Sequence, residues 1–222
     1  MSFLSSDSLD LNVFTHPKLK EIGEKVANGE RITESEGLFL FEYPDDEPVR
    51  LLADFCRQRS SQNDVYFSTT LYIHPTNLCE LSCPMCSFYA KPGWKKAWFM
   101  TPKQIEDKVR SHLHKGLREV HIVGGLWRDC DLSYYKETFQ RIKALDENLH
   151  IKALTPVEYD FIAEQNNMSI EDVFDEFKGF GLGSLPGGGA EILVEHIRKQ
   201  VAPQKISSER FLEIHKIAHK KG

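Results

Sequence analysis

What most constrains this chain is an alternation that sets in at residue 65: short runs rich in β-branched and aromatic residues, each followed by a longer amphipathic run. The run at 65–73, Val-Tyr-Phe-Ser-Thr-Thr-Leu-Tyr-Ile, has the composition of a strand. Further strands are expected at 119–123, 150–154 and, more weakly, 181–185. Helices are expected at 102–115, 133–145, 157–165, 169–178, 191–198 and 208–221. Pro102 suits a first helical turn, where its missing N–H costs nothing. Strand, helix, strand in series requires a parallel sheet with right-handed crossovers. The expected class is therefore α/β, with about four βα units. A complete eightfold barrel takes about 250 residues. Residues 65–222 thus read as the front part of a larger barrel, a partial TIM barrel.

The preceding residues, 1–64, read as a helical segment. Leu19, Ile22 and Val26 share one helical face, and residues 49–59 repeat the pattern through Leu51, Leu52 and Phe55. Thr33 followed by Glu36 resembles a capping box ahead of an apolar run.

Composition narrows the class. With 41% apolar residues the chain is expected to pack as a globular protein. Its formal charge of −5 argues against non-specific nucleic-acid binding, which needs a basic surface. No apolar run approaches the roughly 20 residues of a membrane span, so no membrane partner is expected. The first residues, Met-Ser-Phe-Leu-Ser-Ser-Asp, lack the basic and apolar regions of a signal peptide, and a cytoplasmic protein is the expectation.

Three of the five cysteines, Cys79, Cys83 and Cys86, fall within eight residues, spaced C-x₃-C-x₂-C, directly after the first expected strand. In a reducing compartment such crowding reads as metal ligation. One arrangement is a Cys₃His zinc site using His74 or a distant histidine. The other is a [4Fe–4S] cluster, in which three thiolates leave one iron without a protein ligand. The loop leaves the carboxyl end of a barrel strand, where barrel active sites lie. Cys56 and Cys130 stand apart and read as ordinary buried or half-buried thiols.

The C-x₃-C-x₂-C loop after an opening strand resembles the radical S-adenosylmethionine (SAM) superfamily. Thr76-Asn77-Leu78-Cys79, His121 to Leu126, Ala153 to Glu158 and Gly181 to Leu193 are similar to the corresponding segments of the menaquinone futalosine-pathway and deazaflavin enzymes. Within that group the chain most resembles the aminofutalosine synthases. Gly183 supports this, since the related cyclase and deazaflavin synthase usually carry an acid there; Ala202 to Lys205 and Glu213 to His219 point the same way. The resemblance spans nearly the whole chain but only the first half to two-thirds of the family's length. It implies a radical SAM-type partial barrel, a [4Fe–4S] cluster and SAM. It also implies a reaction. The 5′-deoxyadenosyl radical adds to the enol ether of 3-[(1-carboxyvinyl)oxy]benzoate, and loss of bicarbonate gives 6-amino-6-deoxyfutalosine. A hydrogen-abstracting cousin, or an inactive fragment that binds only the cluster, is the alternative.

The resemblance assigns Cys79, Cys83 and Cys86 as cluster ligands. Met85 falls where the superfamily packs an apolar residue on the adenine, or over the cluster as core. Phe88 falls where the backbone meets the adenine amino group, with core packing as its rival role. Gly124 and Gly125 occupy the turn that meets the SAM amino group, against a plain tight turn. Glu158 is a candidate for the SAM ribose or substrate, against a helix-start acid favoured by the dipole. Pro186 to Gly189 could offer backbone N–H groups to an anion ahead of a helix. Glu191 is either a site acid or a first-turn residue. His121 is expected as a satisfied core histidine or an interior-facing one. Trp127-Arg128 stands where the family has His-Pro. The implied partners are an aromatic enol-ether dicarboxylate, an electron donor such as flavodoxin or ferredoxin, and a separate chain completing the barrel.

Overall fold

The computed structural model describes residues 9–62 and 64–222. The N-terminal stretch read above for a signal peptide lies, to residue 8, outside the described residues. The chain divides into two compact units, Met1–Phe67 and Ser68–Gly222, each taken by itself below. Among the described residues, no helix is long and apolar enough to cross a membrane.

Among the described residues, the first unit holds three α-helices: α1 (Pro17–Ala27), α2 (Glu34–Glu42) and α3 (Asp46–Ser61). Leu19 and Ile22 of α1 pack with Leu52 and Phe55 of α3, Leu9 and Phe14 in one small core. The expected capping box forms. Thr33 Oγ1 accepts from the Glu36 amide, and Glu36 Oε2 accepts from the Thr33 amide at 2.8 Å. Cys56 departs from expectation: it is exposed, because Leu52 and Phe55 take the buried face of α3.

The second unit is a four-stranded parallel sheet, order β1-β2-β3-β4, with β1 (Thr70–Ile73), β2 (Glu119–Ile122), β3 (His150–Ala153) and β4 (Leu182–Ser184). Connecting and following helices are α4 (Pro102–Arg110), α5 (Leu132–Leu145), α6 (Pro156–Asn166), α7 (Ile170–Phe180), α8 (Glu195–Val201) and α9 (Ser208–Lys221). The class is α/β, with a partial TIM barrel. Side chains alternate across the sheet. Ile73, Val120, Ile122, Ile151 and Ala153 enter a core with Ile105, Val109, Tyr135, Phe139 and Phe177 of the helices. Thr70, Tyr72, Glu119, His121, His150 and Lys152 hold the alternate positions, and none of them is fully buried.

Three elements differ from the sequence reading. The first strand is shorter: Val65, Tyr66 and Phe67 are highly exposed and pair with no strand, so their β propensity finds no packed surface. The helix expected at 102–115 ends at Arg110, with a separate 3₁₀ turn at Leu113–Lys115. The helix expected at 191–198 begins only at Glu195, because Glu191 sits at φ 58°, a left-handed conformation that no helix accommodates.

Candidate active site at the level ends of three strands

Register places the site. Ile73 pairs with Ile122, and Ile122 with Ala153, so β1, β2 and β3 end level with one another. The loops that follow them, carrying Cys79 to Cys86, Gly124-Gly125 and Thr155 to Glu158, therefore leave the sheet side by side.

The cysteine loop is held by its backbone. Lys91 donates from Nζ to the carbonyls of Cys79, Glu80 and Leu81 at 2.9, 2.9 and 3.1 Å, capping three acceptors with one ammonium. The buried Asn77 amide accepts from the Trp98 N–H and donates to the Lys96 carbonyl, both at 2.9 Å. Gln204 accepts from the Ser82 amide at 2.6 Å. Neither Lys91 nor Gln204 carried a role in the sequence reading. Their partners are 10 or more residues away, and only Ala202 to Lys205 was marked there, by resemblance alone.

The glycine turn after β2 is stitched to this loop. The Gly125 amide donates to the Thr76 carbonyl at 2.9 Å, and the Glu80 amide to the Leu126 carbonyl at 2.8 Å. A Cβ on Gly125 would lie 2.0 Å from the Leu78 carbonyl oxygen and 3.1 Å from Cys79 Cβ. Gly125 is thus required for the approach of the two loops, whatever else the turn contacts.

Glu158 joins the third loop. Its carboxylate is buried and accepts from the Gly124 amide at 3.0 Å, the Thr155 amide at 2.7 Å and the Thr155 hydroxyl at 2.8 Å. It is both a capping-box residue of α6 and a tie to the glycine turn. Burial pushes its carboxyl pKa up, and the N–H donors oppose that shift.

Together these elements enclose a cleft lined by Cys79, Cys83, Cys86, Phe88, Gly124, Gly125, Glu158 and Lys205, among others. Of the expected cofactor residues, Phe88, Gly124, Gly125 and Glu158 meet the three thiols here. Met85 does not line the cleft: it is half exposed, with its amide directed at the Val201 carbonyl, and so is not core either. Phe88 is also partly exposed, its ring edge-on to His74 and Trp98. Lys205 brings a cation and ion-pairs with Glu191. Glu191 is accordingly neither in the first turn of α8 nor free. The glycine loop at 187–189 does not open α8 directly, since that helix starts at Glu195. Arg198, fully buried, draws the Gly189, Ala190 and Ile192 carbonyls toward itself.

Arg128, in the position where His-Pro was expected, pairs with Glu80 of the cysteine loop at 2.8 Å. His121 departs from the satisfied-core expectation: it is half-buried on the inner face of the sheet, and Nδ1 has no partner. Cys130 is buried as expected, its thiol pKa pushed up to about 12 by burial.

The donor set fits an iron–sulfur cluster better than one zinc ion. Cys83 is buried, with its thiol pKa raised by burial first and opposed by Lys205. Among the described residues, no histidine lines the cleft with the three thiols. His74, the proposed fourth zinc ligand, bonds the Val123 carbonyl through Nδ1 at 2.9 Å and does not line the cleft. Three thiols spread around one cleft suit a larger, multinuclear group.

The family model for the radical SAM superfamily matches residues 73–222, covering the whole of this arrangement. The chain belongs to the radical SAM superfamily. It is 31% identical to the aminodeoxyfutalosine synthase of Thermus thermophilus, over 93% of this chain and 55% of that protein. With the aminodeoxyfutalosine synthase of Streptomyces coelicolor the identity is 34%, over 91% of this chain and 52% of that protein. The 5-amino-6-(D-ribitylamino)uracil–L-tyrosine 4-hydroxyphenyl transferase of Methanospirillum hungatei is 32% identical, over 92% of this chain and 57% of that protein. The chain therefore spans about half the length of the curated relatives it matches. Among solved structures, the hydrogenase maturase HydG is similar in fold, with a TM-score of 0.72 at 16% identity, over 96% of this chain and 46% of that one. Superfamily membership implies a [4Fe–4S] cluster and SAM, and Cys79, Cys83 and Cys86 are the thiols that line this cleft.

Proposed function

We propose that this chain is the cluster- and SAM-binding part of an aminodeoxyfutalosine synthase-type transferase of the cytoplasm. The observation that carries the reading is the meeting, in one cleft, of the three thiols with the Gly124-Gly125 turn and Glu158. When bound, the cluster and SAM would supply a 5′-deoxyadenosyl radical, and a flavodoxin or ferredoxin the electron. Residues of this chain position them. Cys79, Cys83 and Cys86 ligate. Lys91 and Asn77 keep the loop rigid. Gly125 lets the two loops touch, Glu158 fixes the turn, and Phe88 lends an aromatic wall. The substrate in this reading is 3-[(1-carboxyvinyl)oxy]benzoate and the product 6-amino-6-deoxyfutalosine.

Gly183 favours this reaction over that of the hydroxyphenyl transferases. The resemblance carries that preference, since those relatives usually have an acid where this chain has Gly183; a Cβ at Gly183 would lie 2.4 Å from the exposed His150 ring, which an acid there would have to displace. The comparable identity to the hydroxyphenyl transferases keeps their reaction as the second reading.

The test is anaerobic reconstitution with iron and sulfide, EPR with and without SAM, then product analysis. The expected results are a reduced-cluster signal that changes with SAM and an adenosylated product from the benzoate enol ether. Adduct formation only with L-tyrosine and the ribitylaminouracil would move the assignment to the second reading. An EPR signal indifferent to SAM would remove both.

A further inference from the structure

The inner face of the sheet carries a row of polar side chains that the cleft does not use. Register aligns Tyr72 of β1 with His121 of β2, His121 with Lys152 of β3, and Lys152 with Ser184 of β4. The row crosses all four strands. Tyr72, His121 and Lys152 each sit one residue, about 3.3 Å, short of the strand ends from which the cysteine, glycine and Glu158 loops leave.

Each member has something to offer a ligand. The Tyr72 ring, 56% exposed, stacks on His121 with centroids 4.8 Å apart and planes 29° from parallel. The His121 ring is thereby fixed, with Nδ1 buried and unpartnered. A buried acceptor without a donor is tolerated better than a buried N–H without an acceptor. We accordingly assign the ring proton to Nε2, a directed donor. Lys152 gives one of its three protons to Glu119 Oε1 at 2.8 Å and keeps two. Glu119 lies one pleat repeat further from the strand ends and is also held by the Thr70 hydroxyl at 3.1 Å. His150, in the same layer as Glu119, bonds Ser184 at 2.7 Å. The layer nearer the cleft is therefore a flat aromatic surface beside two N–H donors, with its one neighbouring carboxylate already matched.

We propose that this row binds a small aromatic carboxylate, the ring lying along Tyr72 and the carboxylate taken by His121 Nε2–H and Lys152 Nζ. The identity of the acid as the benzoate enol ether rests on the function proposed above. The existence of the subsite does not. A charge-assisted bond from an ammonium, with a second donor beside it, is the arrangement a carboxylate selects over a neutral ester.

Isophthalate, an unreactive aromatic dicarboxylate, is the probe, titrated calorimetrically into the anaerobically prepared chain against dimethyl isophthalate as control. Isophthalate binds and the ester does not. His121→Phe, which leaves the Lys152–Glu119 pair intact, weakens binding by at least about tenfold, as does the charge-balanced pair Lys152→Met with Glu119→Gln; Lys152→Arg retains most of it. Far-UV circular dichroism identifies any variant that has not folded, and the remaining variants decide. Equal affinity for acid and ester, no binding of isophthalate by the parent chain, or unchanged affinity in folded His121→Phe and double variants would each overturn the inference. Isophthalate binding that depends on the row, in a chain that forms no adenosylated product, would leave the subsite standing and refute the proposed reaction.

Discussion

The Gly124 amide and the Glu158 carboxylate, 34 residues apart in sequence, meet at 3.0 Å. That bond couples the turn after β2 to the start of α6. Because the same turn is bonded to the cysteine loop through Gly125, one carboxylate steadies the cleft from both sides. Replacing Glu158 with Ala would leave the two amides and one hydroxyl it accepts from without their acceptor. Such a loss costs about 1–3 kcal/mol. In a domain of this size that lowers Tm by roughly 4–8 °C for each 2 kcal/mol. Calorimetric melting of the Glu158→Ala chain checks this, and a Tm within a degree of the parent would refute the tie.

Gly125 is a sharper test of loop approach. A methyl there would meet the Leu78 carbonyl oxygen at 2.0 Å, and the obstacle is backbone rather than a flexible side-chain end. Gly125→Ala should therefore push the cysteine loop away from β2, at about 1–3 kcal/mol for overpacking. Iron and sulfide per chain after reconstitution should fall as well. Gly187, whose Cβ would meet nothing within 4 Å, is the control, and its Ala variant should retain iron fully. Equal iron content in both variants would detach loop spacing from cluster retention.

The cysteines themselves divide into two groups. Cys79, Cys83 and Cys86 line the cleft, whereas Cys56 is exposed on α3 and Cys130 is packed beneath Tyr135. Cys83→Ala should abolish cluster retention, read as loss of the broad iron–sulfur absorbance and of acid-labile sulfide. Cys56→Ala and Cys130→Ala should retain both, although Cys130→Ala opens a small void with a modest loss of stability. A Cys83→Ala chain holding four irons would show that the ligand set is different.

How much of this was legible follows from the range of the interactions. The α/β order, the capping box at Thr33 and the cysteine spacing are local patterns, and a local pattern is what a sequence displays. The strand at 65–73 was overextended because Val65, Tyr66 and Phe67 have strand propensity without a partner. The delayed start of α8 reflects Glu191 in a left-handed conformation beside Arg198, whose bonds reach back to Gly189, and nothing in the residue types announces that. Lys91 gives no signal either, since its role depends on the fold of an intervening loop. His121 was placed on β2 correctly, but its missing partner is a property of its neighbours across the sheet.

Glu36 offers a pH test confined to the first unit. Its side chain is only 2% exposed and receives Lys25 Nζ at 2.6 Å and the Thr33 amide at 2.8 Å. Those bonds, Lys25 first, lower its pKa from the ordinary 4.5 to about 2. A carboxyl whose pKa is depressed on folding stabilises the fold fully above its unfolded value, and that contribution is lost as protons return. The window is therefore pH 4.5 down to about 2, with stability falling as the pH falls. Glu36→Gln removes the titration while keeping the side chain's shape. Urea melts of the two chains followed by circular dichroism should differ most at pH 6 and converge toward pH 2. A gap that stays constant across that range would mean that Lys25 and Thr33 do not set the protonation of Glu36.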